Sequence, residues 1–79
     1  TGMDELREKT SDGLEIVGRI VRNTDQELIV REGVYKGIPI VDLRWYVNDK
    51  PSIKGVRVNK EEMKVLVGIL MKVENDESE

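Results

Sequence analysis

The stretch from Asn59 to Val73 constrains this chain more than any other, because it specifies a helix that one small sheet cannot cover. Asn59 is a good N-cap, and Glu62, three residues on, completes a capping-box pattern with Asn as the cap. Met63, Leu66, Val67, Leu70 and Val73 recur at helical spacing, and Val65 and Ile69 widen the stripe around the cylinder. A helix lying on one sheet needs an apolar stripe of roughly 100° or a little more. From Val65 to Met71 the chain is apolar around most of the circumference, which predicts a second covering surface. Gly68 costs about 1 kcal/mol relative to Ala in a helix interior, tolerable where it permits close approach of another element. A helix packed on its own sheet and on a partner subunit accounts for both features, so a homodimer is expected.

Size points the same way. The 79 residues suffice for one domain. A monomer this small buries only about 60% of its unfolded surface. With no Cys and no His, neither disulfides nor a thiolate or imidazole metal site adds stability, and association is the remaining route. The missing histidine also removes the usual general base and nucleophile activator. No run of about 18 apolar residues exists, so no membrane span is expected, and no signal-peptide pattern opens the chain. The absence of Cys fits a cytoplasmic location: nucleoid-associated in a prokaryote or virus, nuclear in a eukaryote.

Ahead of the helix the chain reads as strands. Residues 1–13 are polar and read as a loose N-terminal arm in which Leu6 alone could pack. Leu14 to Arg22 is rich in β-branched residues and reads as a strand, followed by turn chemistry at Asn23-Thr24-Asp25-Gln26. A second strand is expected over Glu27 to Glu32, with Gly33 marking a bulge or bend, then a turn at Tyr35-Lys36-Gly37. Ile38 to Val47 alternates most clearly, with Val41, Leu43, Trp45 and Val47 on one face and Asp42, Arg44 and Tyr46 on the other. Pro39 suggests an edge position or a strand end. A loop over Asn48 to Ser52 and a short strand over Gly55 to Val58 complete a domain spanning residues 14–73, with 74–79 as an acidic tail.

The net charge of -3 hides a split: Ile16 to Lys60 holds nine basic and five acidic residues, net +4, and the remainder is net -7. Local potential, not net charge, steers a polyanion. Either a basic binding surface or a solvated surface with acidic ends produces such a split. The aromatics favour binding. Tyr35, Trp45 and Tyr46 are the only ones, interleaved with Arg31, Lys36 and Arg44, and unpaired nucleic acid is held by cationic grooves with aromatic platforms. Pleating puts Trp45 with the core or an interface and leaves Tyr46 and Tyr35 at the surface. Catalysis is not expected: there is no Gly-rich phosphate loop, nucleophile elbow or metal-ligand spacing, and no cofactor is implied. Asp42 and Asp49 are not brought together by any pattern, and Asp42, beside Arg44, reads as an ion-pair or backbone acceptor within the sheet.

These segments, in order, resemble the positive cofactor 4 family of transcriptional coactivators. Val30-Arg31 precedes Tyr35-Lys36-Gly37, followed by Val41-Asp42-Leu43-Arg44-Trp45-Tyr46 and then Ile53-Lys54-Gly55-Val56-Arg57-Val58-Asn59, over about residues 27 to 71. The resemblance implies an α+β fold: a curved four-stranded antiparallel sheet followed by one C-terminal helix, paired as a homodimer through helix and sheet edges. It also implies a channel for single-stranded DNA. There Tyr35 would stack on a base, with Tyr46 at or beside a second platform, and Lys36, Arg44 and Lys54 would contact phosphates or bases. Arg31, Trp45 and Arg57 complete the expected interface, and a bulge near Trp45 would turn it towards the ligand. The chain departs from some members in having Ile38, Val47 and Met63 where they carry a basic residue, a Trp and a Trp. The expected function is sequence-tolerant single-stranded DNA binding in support of transcription or replication, with the transcription machinery as a further partner. Single-stranded RNA binding, or a protein-interaction dimer that binds no nucleic acid, are the alternatives. In the binding readings the tail Glu74 to Glu79 would compete with DNA for the basic channel.

Overall fold

A computed structural model describes residues 8–77. Four strands follow one another, β1 (Glu15–Val21), β2 (Gln26–Tyr35), β3 (Ile38–Val47) and β4 (Lys50–Asn59), and one helix, α1 (Lys60–Glu77), ends the chain. The strands form a single antiparallel sheet in the order β1-β2-β3-β4, the α+β arrangement expected.

Local chemistry explains the meander. Asn23 Oδ1 accepts the backbone N–H groups of Asp25 (2.8 Å) and Gln26 (2.9 Å), closing the first connection. Lys36 and Gly37 both take positive φ, as do Asn48 and Asp49. Two-residue loops with that geometry match the right-handed twist of the strands they join. The expected loop over Asn48 to Ser52 is therefore shorter, and β4 begins at Lys50, well ahead of Gly55. β2 likewise continues to Tyr35. No bulge occurs at Gly33, which pairs in register with Ile40; the glycine instead makes room, since a Cβ there would lie 2.5 Å from Leu14 Cδ2. β3 is a central strand, so Pro39 marks a strand end: β4 pairing ceases at Ile40↔Asn59, just before it.

Two irregularities shape the sheet. The β1–β2 register shifts between Ile16 and Gly18, and the β3–β4 register shifts between Arg44 and Tyr46. The second inserts Ser52, Ile53 and Lys54 of β4 opposite the single residue Trp45, a bulge pinned by Ser52 Oγ donating to the Trp45 carbonyl (2.7 Å).

α1 is capped as its sequence predicts. Glu62 N donates to Asn59 Oδ1 (2.8 Å) and Asn59 N to Glu62 Oε1 (2.9 Å), while Glu61 and Glu62 favour the positive end of the helix dipole. Met63, Leu66, Val67 and Leu70 face Val30, Val41 and Leu43 across a cavity of about 280 Å³. Much of the helix stays open in the single chain: Val65, Val67, Ile69, Leu70, Met71 and Val73 are each 46–64% exposed. Glu74 to Asp76 continue this helix rather than forming a separate tail, Ser78 and Glu79 of the expected tail lie outside the described residues, and no described helix is long and apolar enough to cross a membrane.

Residues 1–7 of the expected arm, with Leu6, lie outside the described residues. The rest of it is not loose. Ile16 N donates to the Glu8 carbonyl (2.8 Å), Gly13 N to the Thr10 carbonyl (2.9 Å) and Thr10 N to the Leu14 carbonyl (2.8 Å). This tight turn drives Leu14 into the notch left by Gly33, where it is buried on the face opposite α1. Replacing Leu14 by Ala should cost about 2–5 kcal/mol in urea unfolding, the range for a buried leucine truncation. The exposed Ser11→Ala on the same turn should cost less than about 0.5 kcal/mol.

Candidate nucleic-acid interface

Alternation along β2 and β3 divides the charged residues from the apolar ones. Val30, Val41 and Leu43 look towards α1. The pairs Arg31↔Asp42, Ile29↔Arg44 and Glu27↔Tyr46 fall on the other face, joined there by Arg57 opposite Asp42 on β4. Asp42 is fully buried at the centre of this face. Arg31 Nη2 donates to its Oδ2 (2.6 Å), Arg44 Nε to Oδ2 (3.2 Å), Arg44 Nη2 to Oδ1 (3.1 Å) and Arg57 Nε to Oδ1 (3.3 Å). One carboxylate thus gathers three guanidiniums from three adjacent strands. Burial alone would push the Asp42 carboxyl up, but the hydrogen bonds and charges of Arg44 and Arg31 outweigh it and hold the group below the ordinary carboxylate value.

Above this cluster lies an open groove of about 610 Å³, lined by Thr10, Ser11, Asp12, Arg31, Arg44, Tyr46, Pro51, Ser52, Ile53 and Arg57. Its cations differ in what they have left to give. Arg44 commits all three nitrogens, two to Asp42 and Nη1 to the Ser52 carbonyl (2.9 Å). Gly55 permits this pose, since a Cβ there would lie 2.6 Å from the Leu43 carbonyl oxygen and 3.1 Å from the Arg44 guanidinium carbon. Arg57 commits Nε alone to Asp42, and its guanidinium lies 5.2 Å from the centre of the Tyr35 ring. Lys36 approaches the same ring at 5.4 Å. Tyr35 is thus a half-exposed ring at the hairpin tip with two cations close to it. Lys54, in the β4 bulge beside the groove, is exposed and makes no ion pair among the described residues.

The structure therefore brings Arg31, Arg44, Tyr46 and Arg57 into one groove, sets Tyr35 and Lys36 at its end through Arg57, and places Lys54 on its flank. Three expectations need correction. Tyr46 is only 8% exposed, packed within the cluster with its ring 5.9 Å from the Arg31 guanidinium, so its ring face is not an open stacking surface. Arg31 is 3% exposed, with Nη1 donating to Thr10 Oγ1 (2.8 Å) and to Asp12 Oδ2 (3.1 Å) besides the Asp42 pair. It is not a free surface cation. Trp45 stands on the other side: β3 pairs regularly with β2 through Trp45↔Leu28, so the bulge in β4 leaves it on the α1 face, half-buried with Arg22 stacked 3.8 Å from its ring centre.

Two lining elements escaped the sequence reading. Ile53 projects from the bulge with 95% of its surface exposed, a position set by the β3–β4 register and invisible in local pattern. The Thr10–Asp12 turn reaches the groove from 19 residues away along the chain. Its only sequence signal was the Thr-Ser-Asp-Gly run, which reads as a turn without saying where it lies. No known protein family, characterised protein or solved structure matched the chain on comparison.

Asp42→Ala should destabilise the fold by about 3–5 kcal/mol, because it leaves the buried Arg31 and half-buried Arg44, as well as the exposed Arg57, without their shared counter-charge. The depressed folded pKa means that Asp42 contributes its stability above the unfolded value and loses it as pH falls through the lower, folded value. Acid titration of stability should therefore show a steep loss below about pH 4 in the native chain, flattened in Asp42→Asn.

Proposed function

We propose that this chain binds single-stranded DNA with little sequence preference, as a homodimer, in support of transcription or replication. The observation that carries the reading is the groove on the sheet face opposite α1. It is lined by Arg57, whose terminal nitrogens have no partner among the described residues; next to Arg57 lies the exposed ring of Tyr35 with Lys36, and Lys54, in the adjoining β4 bulge, makes no ion pair among the described residues. Unpaired strands are gripped through phosphates by such cations and through base faces by such rings. The two-residue loop Lys36-Gly37 and the paired strand end at Tyr35 hold both side chains at low conformational cost.

The apolar side of α1 supports the homodimer. Val56, Val58, Val65, Leu66 and Ile69 line a groove of about 440 Å³ between helix and β4. A second helix of the same kind would cover it and the open residues Leu70 and Met71. Two-fold pairing on this side leaves both basic grooves accessible, since they lie on the opposite face of each sheet. The ordered resemblance to the positive cofactor 4 family points to the same activity, and we propose membership of that family on those motifs. Binding of single-stranded RNA by the same groove is the second reading, as nothing in the lining distinguishes the two sugars.

Fluorescence anisotropy of a labelled single-stranded DNA, with duplex and RNA competitors, tests this reading. We expect salt-weakened binding that duplex does not displace. Tyr35→Ala should weaken it by about 1–3 kcal/mol, the range for one stacked base, without loss of fold. Arg57→Ala and Lys54→Ala should each reduce the slope of log affinity against log salt by about 0.7. No binding at low salt would sink the proposal. In light scattering the chain should have twice its monomer mass, and Ile69→Glu should shift it to the monomer.

A further inference from the structure

The turn over Thr10 to Gly13 puts an acid where a nucleic-acid binder needs none. Asp12 reaches over the edge of the sheet so that both its carboxylate oxygens lie at hydrogen-bond distance from Arg31 Nη1 (3.2 and 3.1 Å). Thr10 Oγ1 adds a bond of its own to Asp12 Oδ1 and accepts from the same Arg31 nitrogen. The Asp12 side chain is 47% exposed, so the pair sits at the mouth of the groove, not in the core. Beneath it Arg31 is almost wholly enclosed, and its Nε is a buried donor with no partner among the described residues. Such an atom costs free energy in the closed arrangement. The groove thus contains one guanidinium that an anion already occupies and that is left incompletely satisfied.

We propose that Asp12 is the resident occupant of a phosphate seat at Arg31, and that a phosphate of the bound strand takes its place as the Thr10–Gly13 turn swings out. The proposal rests on the nucleic-acid reading of the groove and adds a regulator to it. With Asp12 seated, three guanidiniums face the carboxylates of Asp42 and Asp12; with Asp12 displaced they face Asp42 alone, and Arg31 joins Arg57 as a cation open to the ligand. A phosphate offers more acceptor oxygens than a carboxylate, so one seated at Arg31 Nη1 keeps others for Arg57, while Nε lies on the guanidinium edge that Nη2 turns towards Asp42. The turn is restrained by three backbone hydrogen bonds at Thr10, Gly13 and Ile16, by the Thr10 Oγ1 bond to the Leu14 carbonyl and by the seating of Leu14, which the phosphate contacts must offset. The acidic residues Glu74 and Asp76, expected to play the competing role, ride on α1, which packs against the other face.

The experiment compares the full chain with Asp12→Asn, which keeps the side-chain shape and removes the charge. Binding of a fluorescein-labelled oligothymidylate is measured at low and high salt, with amide hydrogen exchange followed in the native chain as the oligonucleotide is added. We expect Asp12→Asn to bind about two- to fivefold more tightly at low salt, with a smaller gain at high salt, as for one partly exposed charge pair. Saturating oligonucleotide should accelerate exchange at the amides of Gly13 and Ile16 while β2 and β3 stay protected. Equal or weaker binding by folded Asp12→Asn, or slower exchange at those amides on saturation, would overturn the resident-anion proposal and leave the single-strand reading standing. Failure of both proteins to bind would overturn both.

Discussion

Asp42 is the residue around which the sheet is assembled. A carboxylate with no exposed surface is tolerable only where its lone pairs are met by charged donors, and here Arg31, Arg44 and Arg57 supply them from the two flanking strands and its own. The requirement works in both directions. Arg31 is as deeply enclosed as the acid, so neither can be accommodated without the other, and the pairing fixes β2, β3 and β4 in one register on one face. An apolar core of this size would have stabilised the domain at least as well. What the ionic centre adds is a platform of guanidiniums whose outer edges face a groove.

The two faces of the sheet consequently do different jobs. The apolar face receives α1 and leaves more of the helix uncovered than a solitary domain of this size would normally tolerate. Among the described residues the charged face receives only the short turn before β1, which enters because Gly33 lacks the Cβ that would exclude Leu14. Rigid elements then aim the residues available to a ligand. The two-residue loop presents Tyr35 and Lys36, and the hydrogen-bonded bulge presents Ile53 and Lys54. Arg57 links the two ends by leaning over the Tyr35 ring while anchored at Asp42.

Most of the fold was legible because its signals are local. The capping pair Asn59 and Glu62, the Asn23 turn, the Lys36-Gly37 reversal and the alternation of Ile38 to Val47 each depend on neighbours within a few residues. The reading of Asp42 as an ion-pair acceptor came from its place between apolar residues beside an arginine, and it matches the geometry. Strand ends were less legible. Pro51 and Ser52 suggest a loop and so a short β4, yet an edge strand accepts a proline where its N–H faces away from the ladder and absorbs the extra residues as a bulge.

By itself the sequence determined the elements, their order, the face each β3 residue takes and the presence of a helix with more apolar surface than one sheet can use. It did not determine which residues on the charged face are free. Tyr46, Arg31 and Arg57 share that face through strand register, and nothing local separates the buried tyrosine and tied guanidinium from the arginine whose terminal nitrogens have no partner among the described residues. That distinction was made by tertiary contacts: Asp12 and Leu14 folding back over Arg31 and Gly33, and Asp42 drawing the arginines inward. Alternation is a property of one strand, whereas exposure depends on what distant segments come to rest above it, and only the assembled chain sets that.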